Sequence, residues 1–324
     1  MREEQGMRRW SSGATPGIVC IVGAMMILSL QDSIVKWLGA TYPLHQIVLT
    51  RSLIAAAITL IVLSAMSRLG DLRTRRWSLH LVRGVLMLAI NSCFFLGLIA
   101  MPVAEATAMF FVAPLFITLL SALLLREPVG PRRLAAVLVG FAGVVIVVRP
   151  GSGLFGLVAL LPVGAAASYA LMQILTRRLG ATDSAAAMAF SVQIILIVAG
   201  IAMGLTVGDG RYAGSADPSL DFLLRAWRLP SGKDLPLFGL VGLLIATASI
   251  LLSQAYRSTE AATIAPFEYI ALPFATLWGF LFWRDVPDAI AVMGMILIVG
   301  SGVFIIWRTE QLRTDAAPTR ASRR

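Results

Sequence analysis

Asp32, Lys36, Arg51 and Glu268 are charged residues set inside otherwise apolar stretches, and that placement makes them the first candidates for chemistry. A charge in hydrocarbon costs at least a few kcal/mol unless a partner or a wet cavity receives it. Asp32 and Lys36 are four apart, on one face of a helix. Two readings stand for them: a self-contained ion pair, or contact with a solute or a proton. Arg51 lies about two turns into its stretch, so its guanidinium either reaches back to the headgroups or pairs inside with Asp32. Glu268 has no basic residue four positions away on either side and is followed by Tyr269. Its carboxylate needs a cavity, a cation from another helix or a proton, which marks it as a proton acceptor or the anchor of a cationic group. Were a proton to be taken up within these stretches, Glu268 or Asp32 would carry it. Glu105 opens its own stretch, where water and the helix dipole suit it.

Uncharged polar groups form a second set: Asn91, Gln173, Gln193 and Gln254, with Tyr169, Tyr256, Ser33 and Thr107. Side-chain amides often do no more than bridge membrane helices. Gln173 and Tyr169 stand out because they are four apart, and a shift of 141 residues carries Asp32 onto Gln173. Polar residues at one repeated position suit the lining of a cavity. Trp37, Trp278 and Phe94 either stack on a planar ligand or, for the tryptophans, anchor at the interface. Pro114 and Pro273 are matched interruptions of apolar stretches. Each removes a backbone donor and frees a carbonyl one turn back, so they mark hinges or fixed kinks. Gly140/Gly143 and Gly300/Gly302 have the spacing of close helix contacts.

Elements able to hold such groups follow from composition. The chain has 324 residues, is 58% hydrophobic and 14% charged, with a mean hydropathy of +0.84. Whole stretches are apolar on every side, which excludes an ordinary soluble domain. The net charge of +10 belongs to loops and tails rather than to a nucleic-acid surface. Cys20 and Cys93 both sit in apolar stretches, and His45 and His80 fall near stretch ends, so neither a disulfide framework nor a metal site is indicated. No Walker motif, catalytic triad or HExxH pattern occurs, which argues against an enzyme and against any cofactor.

Ten spans are expected, at 17–37, 44–66, 79–101, 103–125, 132–149, 154–176, 184–206, 235–256, 261–283 and 286–307. Residues 1–16 read as a cytoplasmic tail and 308–324 as a second, basic one. Arginine is concentrated in the loops that share a side with the termini, so both termini are expected in the cytoplasm of a multi-pass inner-membrane protein. A shift of 159 residues carries Ala106, Pro114, Pro128, Gly143 and Arg149 onto Ala265, Pro273, Pro287, Gly302 and Arg308. Upstream, Leu38-Gly39-Ala40-Thr41 recurs as Leu179-Gly180-Ala181-Thr182, and the polar segment 208–234 accounts for the change of offset. Within it, Leu220–Leu229 is either an amphipathic piece lying on the membrane surface or a plain loop. The repeats 17–150 and 151–307 then hold five spans each. An odd number turns the second copy upside down, the architecture of many secondary transporters.

Pro114 with LFITLLSALLLREPVGPRR, the glycine-spaced GFAGVVIVV (140–148), and their second copies PFEYIALPFATLWGFLFWRDVPD (266–288) and GMILIVGSGVFII (294–306) carry a family resemblance. The chain resembles the drug/metabolite transporter superfamily, of the EamA type with two tandem five-helix repeats. One departure is Asp285, a place out of register with Glu127 relative to the shared proline. The resemblance implies an all-α membrane fold of ten helices and alternating-access transport of a small organic solute. Its members handle metabolites, amino acids, toxic amines, riboflavin or S-adenosylmethionine. A lipid-linked substrate flippase or an accessory membrane subunit is the alternative. Solute and bilayer are the expected partners, a homodimer is compatible with the fold, and nucleic acid is not expected.

Overall fold

The computed structural model describes residues 15–74, 76–125, 130–149, 156–179, 184–258 and 265–316. The repeated string at 179–182, the turn holding Glu127 and Pro128, both tails and the side chains of Gln254 and Tyr256 lie wholly or partly outside that description. Among the described residues the structure is helical: α1 Thr15–Gly39, α2 Leu44–Ala65, α3 Trp77–Ala100, α4 Val103–Phe110, α5 Ala113–Leu125, α6 Pro131–Val148, α7 Leu160–Leu179, α8 Ala185–Val207, α9 Pro218–Leu224, α10 Leu235–Ser258, α11 Ala271–Trp283 and α12 Ala289–Ala316. Short 3-10 turns occupy Leu69–Leu72, Gly156–Ala159 and Ala265–Ile270. Eight of the apolar helical stretches are long enough to cross a membrane, and two shorter ones cover 134–148 and 267–283. Large apolar side chains such as Ile61, Leu138 and Leu205 point outward, as a hydrocarbon solvent allows.

The expected span 103–125 is two helices rather than one. α4 stops at Phe110, Phe111 and Val112 form a turn, and α5 restarts at Ala113. Pro114 has no N–H to offer the Phe110 carbonyl, so the ladder breaks one turn before it. Pro273 acts alike: the chain ahead of it is the 3-10 turn Ala265–Ile270, and α11 begins at Ala271. Each proline therefore sits in the first turn of the helix that follows, where it is well tolerated. α6 also begins on a proline, after extended Gly130. It ends on Arg149 and α11 ends on Arg284, both in the left-handed region at φ 48° and 60°.

α1 packs along α10, α3 along α7, α2 along α8 and α6 along α12. α10 also meets α2, α8 meets α3, α11 meets α1 and α4, and α5 meets α7. Missing side chains allow the closest approach. A Cβ on Gly143 would lie 2.8 Å from the Gly294 carbonyl oxygen, and one on Gly294 would lie 2.8 Å from that of Gly143. The expected glycine pairs need revision in one place, because Gly300 faces open space while Gly302 accommodates the Tyr269 hydroxyl.

The segment around α9 is more than a plain loop, because it carries a short helix and packs on the bundle. Asp217 caps α9 by accepting from the Ser219 and Leu220 amides, and Pro218 takes the first helical position. Phe222 is fully buried, and the Ser219 hydroxyl donates to the Leu96 carbonyl at 2.7 Å. Arg225 holds Asp221 and donates to the Gly39 carbonyl at 3.0 Å. Gln46 bonds the Arg228 backbone in both directions, Tyr42 donates to Asp234 at 2.7 Å, and the His45 ring stacks on Trp227. The segment is a strap fastened to the turn between α1 and α2.

Candidate functional site

Arg51 is the centre of a buried polar cluster, only 5% exposed. Its Nη1 donates to Gln31 Oε1 at 3.2 Å and its Nη2 to Asn91 Oδ1. The Gln31 amide in turn donates to Asp32 Oδ1 at 3.0 Å, and the Asp32 charge acts on Arg51. Asn91 is oriented by its own amide, which donates to the Met87 carbonyl at 2.8 Å. Three helices, α1, α2 and α3, thus converge on one guanidinium, whose carbon sits 5.0 Å from the centre of the Phe95 ring. This removes the reading in which Arg51 reaches the headgroups. A buried cation surrounded by acceptors is cheaper there than a stretched side chain.

Lys36 does not pair with Asp32. Its Nζ donates to the Met101 carbonyl at 2.5 Å and lies 5.1 Å from the Trp283 ring centre. The helical spacing allowed the ion pair, but Asp32 accepts from Gln31 and feels the Arg51 charge, and the end of α3 offers Lys36 an open carbonyl. Near Lys36 lies Glu105, expected to be solvated but in fact 8% exposed. Neighbouring helices close over the α4 start, so its position at a helix N-terminus does not bring it to water.

A second cluster gathers around Tyr169. Gln173 Nε2 donates to the Tyr169 hydroxyl oxygen at 2.6 Å, one turn apart on α7. Glu268 and Tyr269, on the 3-10 turn before α11, approach the same region, with Glu268 acting electrostatically on both tyrosine hydroxyls. Gln173 and Asp32, equivalent under the repeat, make no hydrogen bond with each other and belong to different clusters.

Between the clusters runs a chain of rings. Phe95 meets Phe94 at 5.4 Å, Phe94 meets Phe110 at 5.4 Å, and Phe110 meets Tyr169 at 5.5 Å. Phe110 also touches Phe111, which reaches Tyr269 at 5.0 Å. The rings form a packed chain with a guanidinium and amides at one end, and phenols, an amide and a carboxyl group at the other. Trp37 belongs elsewhere: it is half exposed and packs on Phe282 and Trp283. Trp278 stacks on Phe282.

Comparison with known proteins bears on the family. The model of the EamA-like transporter family matches residues 15–149. A riboflavin transporter of Rhizobium johnstonii is 31% identical over 309 residues, covering 95% of each chain. The chain belongs to the EamA-like transporter family. A riboflavin transporter of Vibrio cholerae is 29% identical over 306 residues, covering 92% of this chain and 96% of the relative. A solved crystal structure that is 20% identical superposes with a TM-score of 0.59 over 93% of this chain and 99% of that one, which shows a shared fold. This EamA-like protein is a multi-pass membrane transporter of a small organic metabolite.

Of the residues singled out in the sequence, this EamA-like transporter brings Asp32, Arg51 and Asn91 together, and Tyr169, Gln173, Glu268 and Tyr269 together. Lys36 stands apart from both. Gln31 was missed because it is adjacent to Asp32, and neighbouring helical residues do not normally share a face. Phe110 and Phe111 were missed as ordinary apolar residues. A signal existed: an aromatic pair that ends three residues ahead of the proline that breaks its helix.

Proposed function

We propose that this transporter moves a planar heteroaromatic solute of the flavin class by alternating access between two inverted halves, 17–150 and 151–307. The observation that carries the substrate class is the ring chain from Phe95 to Tyr169, bounded by Arg51 and Asn91 at one end and Gln173 at the other. Stacking would take the flat rings, and the amides and guanidinium would take the hydrogen-bonding edge of the heterocycle. The relatives that transport riboflavin support the same class.

The helix packing supports the inverted halves. Exchange α1 with α7, α2 with α8, α3 with α10, α4 and α5 with the Ala265–Ile270 turn and α11, and α6 with α12. The α1–α10 contact then becomes α7–α3, α2–α10 becomes α8–α3, and α1–α11 becomes α7–α5. The α2–α8 and α6–α12 contacts map onto themselves. That is the pattern of a pseudo-two-fold axis. Loop arginines support an inner membrane with both termini cytoplasmic, which puts the α1–α2 end and its strap outside. Pro114 and Pro273 are the hinges of the two central broken helices.

Purified protein in proteoliposomes should accumulate labelled riboflavin, and Phe110→Ala should reduce uptake at limiting solute. Absence of saturable uptake in either vesicle orientation, with no thermal stabilisation by riboflavin, would overturn the flavin assignment.

A further inference from the structure

We propose that Glu105 is a proton-binding site near the α1–α2 end of the transporter, and that its proton sets how firmly Arg149 holds Asp288. The inference goes beyond solute binding, and its test requires no solute.

Glu105 sits in the first turn of α4, buried, with its Oε2 out of contact with water and without a hydrogen-bond partner. α4 packs against α3, α6, α7, α11 and α12. Among the described residues the charges that act on Glu105 are Arg149 from the end of α6, Asp285 from the end of α11, Asp288 from the start of α12, and Lys36 from α1. α7 contributes the uncharged Tyr169, which reaches Phe110 at the far end of α4, and α3 contributes the Met101 carbonyl just beyond its end.

Each cation already has a partner, although the buried Nε of Arg149 has none. Lys36 donates to the Met101 carbonyl, and Arg149 pairs with Asp288. Asp288 also accepts from the Ala291 amide at 2.8 Å, which fixes it at the start of α12. With every group ionised, three carboxylates face two cations, so the cluster is one positive charge short. The member that pays most for the deficit is the one without water or a donor, and that is Glu105. A proton taken from bulk solvent neutralises it and leaves the other four groups as two cations and two anions.

The coupling to the ion pair follows from the same positions. An ionised Glu105 attracts Arg149 and repels Asp288, so it loosens the bond between α6 and α12. A protonated Glu105 leaves that bond intact.

Infrared titration of the full chain in nanodiscs tests this. A protonated-carboxyl C=O band should persist at a pH where exposed carboxyls are ionised. It should vanish in Glu105→Gln and survive in Asp32→Asn and Glu268→Gln. Asp285→Asn, which removes one negative neighbour, should move the loss of the band to lower pH. Asp288→Asn frees Arg149 to meet Glu105 and should abolish the band at neutral pH. If Glu105→Gln fails to fold, folded Glu105→Asp must shift the band in frequency or in pH. A band untouched by the Glu105 variants, or no such band in the unsubstituted chain, overturns the proton site. A band unaltered by Asp288→Asn overturns the link to Arg149.

Discussion

The guanidinium of Arg51 donates to the side-chain oxygen of Asn91, which joins α2 to α3 in the interior of the bundle. Asp32 completes the charge balance from α1 through Gln31. The cluster is therefore a structural tie as well as a candidate solute contact, and the two roles separate experimentally.

Arg51→Met should destabilise the protein by about 3–5 kcal/mol, because it strands the Asp32 carboxylate without its cation. Arg51→Met with Asp32→Asn should recover most of that loss while leaving riboflavin uptake impaired. Thermal unfolding in one detergent gives the first quantity and proteoliposome uptake the second. Full recovery of uptake in the double variant would show that the cluster serves stability alone.

Phe110 touches three rings at once, Phe94, Phe111 and Tyr169. Replacing it by leucine keeps apolar volume but removes the stacking face, worth about 0.5–1.5 kcal/mol. Riboflavin affinity, measured by quenching of flavin fluorescence, should weaken by roughly 2- to 10-fold, since 1.4 kcal/mol is tenfold. Leu281, exposed on α11, is a suitable control, and its replacement by alanine should leave affinity unaltered.

Gly143 and Gly294 face each other so closely that a methyl on either meets the other's carbonyl oxygen. Backbone cannot swing aside as a side chain can. Gly143→Ala or Gly294→Ala should cost about 1–3 kcal/mol by forcing α6 and α12 apart. Gly300→Ala, in the same helix but facing open space, should instead stabilise by about 0.5–1 kcal/mol. Melting curves of the three variants decide it, and equal effects would dismiss the close contact.

The strap carries a pH dependence of its own. The Tyr42 hydroxyl, and after it the Ser231 hydroxyl, hold the Asp234 carboxyl below the usual carboxylate range. A carboxyl lowered by folding contributes stability above its unfolded pKa, about 3.9, and loses it as pH falls through the lower folded value. The strap should therefore stay fastened at neutral pH and loosen only below about pH 4. Tyr42→Phe removes the larger cause and should raise the pH at which loosening starts. Hydrogen exchange of amides 208–234 against pH reads this directly; exchange that is flat across the acid range would rule it out.

The helical membrane architecture was legible from apolar length and the repeat, because both depend on composition along the chain. So were the helix breaks at Pro114 and Pro273, since a missing N–H acts locally. Partner choice was not legible. Lys36 has the right spacing for Asp32, yet a carbonyl at the end of α3 takes it. Glu105 looked solvated from its place at a helix start, and only the packing of α6, α11 and α12 around it shows otherwise. The ring chain and the strap depend on contacts between residues far apart in sequence, such as Phe110 with Tyr169 and Gln46 with Arg228, which no local pattern records.

Phe110 ends α4 and Phe111 opens the turn where one membrane-crossing segment is cut in two. Whatever presses on those rings therefore also presses on a joint. A cargo molecule lying flat there would change the relative energies of the bent and straightened forms by as much as it prefers one of them. Recognition and movement would then be two readings of a single free-energy difference, with no relay needed to carry a signal from a binding pocket to a distant pivot.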